Sequence, residues 1–129
     1  KYVSGANIEE IISDLAGVRV VCFDKEQVYK VANEIKKVKE FELLKEKDYI
    51  LHPKENGYQS YHLTFEIIGV KVELQIRTIL MDAWSSLDTV LIYKIKETPP
   101  KDIVEKIEKF SKWSKKMDRM IEEMLEEKG

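Results

Sequence analysis

The feature that most restricts the fold is a pair of alternating segments. Tyr61, Leu63, Phe65 and Ile67 alternate with His62, Thr64 and Glu66, and beyond Ile68-Gly69 the residues Val70, Val72, Leu74 and Ile76 alternate with Lys71, Glu73, Gln75 and Arg77. Side chains change face at every strand residue, so this pattern requires two antiparallel strands with one apolar and one polar face. A two-residue turn at Ile68-Gly69 sets the register: Ile67 opposite Val70, Glu66 opposite Lys71, Thr64 opposite Glu73 and His62 opposite Gln75. The apolar face must be covered by something else in the chain. On periodicity alone the polar face reads as solvated.

The remaining segments supply candidate covers and neighbours. Val18 to Phe23 is rich in β-branched and aromatic residues, which predicts a strand buried on both faces. Asn7 is a candidate cap for a short helix ending before Gly17, with Ile8, Ile11 and Ile12 on one side. Asp24 is a second cap candidate, followed by a helical stripe of Val28, Ala32 and Ile35 to about Lys39. Phe41 to Lys47 is a weaker strand. Between Asp48 and Ser60, His52-Pro53 and Asn56-Gly57 signal a long loop, and long loops in compact domains commonly carry function. After Thr78, Ile79, Ala83, Trp84, Leu87 and Leu91 have helical spacing, which predicts a helix packed on the apolar hairpin face. Pro99-Pro100 breaks the chain ahead of a long helix. There, Ile103, Ile107, Phe110, Met117, Ile121 and Met124 form a stripe that skips Ser114, suited to covering the same core or to a subunit contact.

Length and composition narrow the function classes. At 129 residues the chain makes one domain: a core over residues 1–94 and a C-terminal helix over 101–127. Its 22 basic and 24 acidic residues nearly cancel, so the overall charge does not recruit nucleic acid and an anion site must be a local cluster. The lysine-rich stretch Lys106 to Lys116 also carries Glu108 and reads as a solvated helix face. The single cysteine, Cys22, sits in an apolar strand, which fits a reducing cytoplasm. No apolar run approaches the length of a membrane span, and the N-terminal residues lack the apolar centre of a signal peptide.

The residues with chemistry to offer are Asp14, Arg19, Lys47, Lys54, Tyr58, His62, Glu73, Gln75 and Arg77. Carboxylates near several cations suit phosphoryl transfer, in which a divalent cation joins carboxylate to phosphate oxygens and Lys or Arg offsets developing charge. A tyrosine raised on a loop beside a glycine can stack on a nucleobase. Taken singly, each has a plainer reading as a cap, a packing group or a satisfied core histidine. Neither His52 nor His62 has neighbours at zinc-ligand spacing.

In combination they are more specific. DLAGVR at 14–19, KDYILHPKENGYQSYH at 47–62, VELQIRT at 72–78 and a following tryptophan-containing helix ending in YK resemble the RelA/SpoT synthetase domain over residues 8 to 94. The long helix after Pro100 makes the small, single-domain alarmone synthetases the nearest group. The resemblance implies an α/β, nucleotidyltransferase-like mixed sheet flanked by helices. It implies transfer of the β,γ-diphosphate of ATP to the 3′-hydroxyl of GDP or GTP, giving ppGpp or pppGpp. On it, Asp14 and Glu73 match the Mg²⁺ carboxylates, with Glu73 also assisting deprotonation of the hydroxyl. Arg19 matches the adenine-stacking position and Tyr58 the guanine-stacking one. Lys47, Lys54 and His62 match phosphate contacts, and Gln75 and Arg77 hold nucleotide or the geometry of Glu73. Homo-oligomers, often tetramers, are common in the small group, with the terminal helix as the candidate interface.

The sequence also departs from that pattern. The residues ahead of Asp14 lack the Arg-x-Lys helical segment that grips ATP in the family. Leu87-Asp88-Thr89 keeps only the acid of a usual Glu-His pair. Gln59 replaces the arginine of the small enzymes, which predicts a less basic guanine-phosphate side. Two other outcomes are therefore open: a catalytically silent guanine-nucleotide-binding module, and an enzyme of this fold that places the diphosphate on the 3′ end of tRNA.

Overall fold

A computed structural model describes residues 17–95 and 97–128. The helix expected after Asn7, and Asp14 with it, lies outside the described residues. Seven elements follow in order: β1 (Gly17–Cys22), α1 (Lys25–Lys36), β2 (Glu42–Asp48), β3 (Tyr61–Ile67), β4 (Val70–Thr78), α2 (Ile79–Lys94) and α3 (Lys101–Lys128). The strands form one mixed sheet in the order β1-β4-β3-β2, with β1 parallel to β4 and the other pairs antiparallel. No helix among the described residues is long and apolar enough to cross a membrane.

The hairpin has the register its alternation predicts: Ile67 faces Val70, Thr64 faces Glu73 and His62 faces Gln75. Ile68 and Gly69 both have positive φ, 49° and 76°, the pattern of a type I′ turn, whose twist matches that of the flanking strands. That conformation suits glycine or asparagine, and a β-branched residue there is strained. Ile68 is also 97% exposed, so its side chain returns nothing in packing. Ile68→Asn is expected to stabilise the domain by about 1 kcal/mol, raising Tm by about 3 °C in a thermal melt. A lower Tm would contradict strain at the turn.

The core sits between the apolar sheet face and α1. Leu63, Phe65, Leu74 and Ile76 from the sheet meet Val28 and Ala32 from the helix, and Val20, Tyr29 and Ile35 pack around them. Asp24 caps α1 as expected, accepting a hydrogen bond from Gln27 N at 2.8 Å, while Gln27 Oε1 accepts one from Phe23 N at 2.8 Å.

Three expectations are corrected. β1 is an edge strand of the described sheet, with Val18 and Val21 about half exposed, because its β-branched run reflects pairing to β4 on one side rather than burial on two. α1 covers most of the apolar hairpin face, to which α2 adds Met81. α2 leaves Ile79 and Leu87 exposed, buries Met81 and Trp84, and leans on α3, where Trp84 Nε1 donates to the Ile107 carbonyl at 3.3 Å. The apolar stripe of α3 is half-buried from Ile103 to Ile121, but its most buried positions are Ser111, Ser114 and Asp118, so Ser114 is a contact position and Met124, 58% exposed, is not. Asp118 Oδ2 accepts from the hydroxyl of Thr78 at 2.9 Å, and that hydroxyl accepts from Met81 N at 3.2 Å to cap α2. Burial pushes the Asp118 carboxyl above its usual range, while the Thr78 hydrogen bond and Lys25 work the other way.

Candidate active site

The pairing of four strands lines up polar side chains in two rows across the sheet. Lys47 pairs with His62, His62 with Gln75, and Gln75 with Arg19; one pair further along, Lys45, Thr64, Glu73 and Gly17 make the second row. Directly paired residues share a face, so both rows lie opposite Leu63, Leu74 and Ile76 and hence opposite the core. The bulge at Leu44 shifts the register so that Lys45 and Lys47 join this face. With Arg77 included, these rows array four cations, a histidine, an amide and a carboxylate.

The loop between β2 and β3 carries Tyr58 to one end of that array. Its first turn is held by Asp48, whose Oδ1 accepts from Ile50 N and Leu51 N at 2.9 Å each, and its last by Ser60, which donates to the Ile76 carbonyl at 3.3 Å. In between, Gly57 N donates to Lys54 O at 2.9 Å, Lys54 N to Tyr58 O at 3.1 Å, and Asn56 Oδ1 accepts from Tyr58 N at 3.0 Å. Gly57 has φ of +96°, open to glycine at no steric cost. Gln59 is buried and donates to the Ile50 carbonyl at 3.3 Å, so its amide braces the loop.

A closed circuit of polar contacts joins loop to strands. Arg77 Nη2 donates to the Tyr58 hydroxyl at 3.1 Å and to Gln75 Oε1. The Tyr58 hydroxyl lies 2.7 Å from His62 Nε2, His62 Nδ1 lies 3.7 Å from Glu73 Oε1, and Gln75 Nε2 donates to the same oxygen at 3.2 Å. Because Tyr58 accepts from Arg77, its own proton is free to go to His62 Nε2, which requires a neutral ring with the proton on Nδ1, facing Glu73. Lys54 Nζ stands over the rings of Tyr49 and Tyr58, at 4.8 and 5.2 Å from their centroids.

Burial is the largest influence on His62 and lowers its pKa below the ordinary 6.5; Glu73 opposes this, and Arg77, Lys54 and Lys45 add to it. The unfolded chain therefore takes up this proton first as pH falls. His62 contributes stability in full above pH 6.5 and loses it as pH drops through the lower folded value. A His62→Gln variant is expected to flatten the fall in Tm below pH 6.5. An unchanged slope would mean that the ring titrates as it does in the unfolded chain.

The structure brings Arg19, Lys47, Lys54, Tyr58, His62, Glu73, Gln75 and Arg77 to one face or to the loop beside it. Arg77 is 1% exposed and lies beneath Tyr58, with its hydrogen bonds running to Tyr58 and Gln75. Asp82, which sequence reasoning missed, explains part of that burial. Its Oδ1 lies 3.1 Å from Arg19 Nη1 and 3.7 Å from Arg77 Nη1, one carboxylate between two guanidiniums. The available signal was an acid in the first turn of the helix that follows a strand with arginine as its penultimate residue. Lys45 and Tyr49 were also missed, the first because the bulge that turns it to the polar face leaves no sequence mark. Glu73 suits a hard cation: its side chain is 51% exposed and its contacts among the described residues run through Oε1 alone. No cluster of three ligating side chains occurs among the described residues.

Residues 1–98 match the family described as the region found in RelA/SpoT proteins. The chain belongs to that family. Among curated RelA/SpoT relatives, it is 36% identical over 127 residues to the GTP pyrophosphokinase YwaC of Bacillus subtilis, covering 92% of this chain and 60% of that protein. It is 32% identical over 128 residues to GTP pyrophosphokinase YjbM of the same organism, covering 93% and 59%. It thus spans about three fifths of their length. The fold superposes on small alarmone synthetase 2 of B. subtilis with a TM-score of 0.86 at 35% identity, covering 96% of this chain and 71% of that one. Small alarmone synthetase 1 from B. subtilis, solved with its product pppGpp, gives 0.83 at 29% identity, covering 92% and 65%. The mixed four-stranded sheet with a long C-terminal helix is therefore the alarmone synthetase fold of this RelA/SpoT group.

Proposed function

We propose that this chain transfers the β,γ-diphosphate of ATP to the 3′-hydroxyl of GDP or GTP, releasing AMP. The observation that carries the reading is the pair of rows on the polar sheet face, ending at Tyr58, in a chain of this family. Tyr58 presents a ring for the guanine, and its hydroxyl is already tied to Arg77 and His62, which fixes the ring before nucleotide arrives. Lys47, Lys54 and His62 meet phosphates, and Arg19 stacks on adenine. Asp14 and Glu73 would hold Mg²⁺, which when bound offsets charge on the phosphate oxygens.

The 3′-oxygen forms a bond to the β-phosphorus of ATP as the bond from that phosphorus to the α,β-bridging oxygen breaks, and AMP leaves with that oxygen. The hydroxyl proton passes to the Glu73 carboxylate. Gln75 holds Oε1 of that carboxylate in place, and Arg77 holds Gln75. A homo-oligomer built through α3 fits the exposure of Trp113, Met120 and Met124 on its outer face.

The test is to incubate the chain with ATP, GDP and Mg²⁺ and follow AMP and ppGpp; absence of both sinks the proposal. Tyr58→Ala is expected to weaken GDP binding by about 1–3 kcal/mol in a direct titration. An unchanged GDP affinity would remove Tyr58 from the guanine site.

A further inference from the structure

α3 turns small and polar residues inward among its half-buried apolar ones. Trp113, Met120 and Met124 are exposed, while Ser111, Ser114 and Asp118 are buried. Ile107, Phe110 and Met117 supply the half-buried apolar contacts of this helix, so full burial of two serines and an aspartate beside them marks a close approach to polar backbone. What meets these three is the site-bearing backbone: Asp118 takes the Thr78 hydroxyl at the end of β4, and Ser111 lies against Gly57 in the Tyr58 loop. The approach at Gly57 leaves no space. A Cβ built there would overlap Ser111 Oγ, stand 3.0 Å from Ser111 Cβ and 3.6 Å from Trp84 Cζ2. The next residue in the loop is Tyr58, whose hydroxyl is fixed to Arg77 and His62 from the opposite side.

We propose that Ser111 is a positioning residue for guanine-nucleotide binding: its small side chain on the C-terminal helix is the seat on which Gly57 rests, and its bulk sets where the Tyr58 ring stands. The inference rests on the proposed guanine role of Tyr58. Two constraints meet at Gly57, the positive φ and the contact with Ser111, and only the second can be relieved from the helix. A larger side chain at 111 pushes the loop off α3 and pulls the ring from its hydrogen-bonded place, whereas the ion pair of α3 with α1, Lys25 to Glu122, lies about three turns further along the helix.

The experiment reads GDP affinity by titration and amide hydrogen exchange of residues 54–58 against that of α1, in the chain as it stands. Ser111→Leu is expected to raise the Kd for GDP about tenfold, part of the value of a base stack, and to speed exchange in the loop more than in α1. Gly57→Ala is expected to do the same, and adding Ser111→Gly to it to restore part of the lost affinity and protection by removing the overlap. The seat is overturned if Ser111→Leu leaves loop exchange and GDP affinity at wild-type values, or if Ser111→Gly restores nothing to Gly57→Ala. Should Ser111→Leu not fold, Ser111→Thr, which adds one methyl group, takes its place under the same criteria. If the wild-type chain binds no GDP, the guanine reading of Tyr58 fails by itself, and the exchange measurements still decide whether Ser111 seats the loop.

Discussion

Glu73→Gln is expected to lower AMP and ppGpp formation by about a thousandfold while leaving the melting temperature nearly unchanged. The two halves of that result have separate causes. Glutamine keeps an oxygen able to accept from Gln75 Nε2, so the contact that orients this side chain survives. The position is about half exposed and outside the core, where substitutions usually stay within about 0.5 kcal/mol. The negative charge is lost, and with it the acceptor proposed for the hydroxyl proton and the ligand proposed for the divalent cation. Product formed at a rate close to wild type, with Mg²⁺ present, would exclude Glu73 from the chemistry.

Arg77→Ala is expected to give the largest loss of stability, about 3 kcal/mol, with Tm lower by about 10 °C. Arg77 is 1% exposed, holds Tyr58 and Gln75 through Nη2, and faces Asp82 across 3.7 Å. Removing it leaves a void, deprives the Gln75 carbonyl oxygen of its donor, and leaves the Tyr58 hydroxyl with His62 alone and the Asp82 carboxylate with Arg19 alone. Burial works against the charge on Arg77 and Arg19 adds to that effect, whereas Tyr58 and Asp82 oppose it. The guanidinium still stays protonated, so the deletion removes a real cation. Lysine is a poor substitute, since one ammonium group does not reproduce the planar fork that reaches Tyr58 and Gln75 at once. A Tm within about 3 °C of wild type would show that Asp82 and Arg19 carry the site without it.

Much of the site was legible in the sequence because strand alternation is a local property. The residues 61–76 state their own faces, and a two-residue turn states their register, so the grouping of His62, Thr64, Glu73 and Gln75 needs no tertiary information. The same holds for the Asp24 cap and for the loop signalled by Asn56-Gly57. Local pattern failed where one apolar segment had two possible partners. Val18 to Cys22 has the composition of a buried strand and is an edge, and α2 has helical spacing but spends its buried face largely on α3.

The sequence by itself determined the hairpin, its polar face and the motifs that placed the chain near one family, since these depend on residue spacing within short stretches. Only the tertiary structure decided which helix covers the core, that Arg77 is buried under Tyr58, that Asp82 sits between two arginines, and that Ser111 meets Gly57. Those contacts join residues far apart in the chain. They depend on how the helices pack and on which side chains fill the remaining space, which no periodicity along the chain encodes.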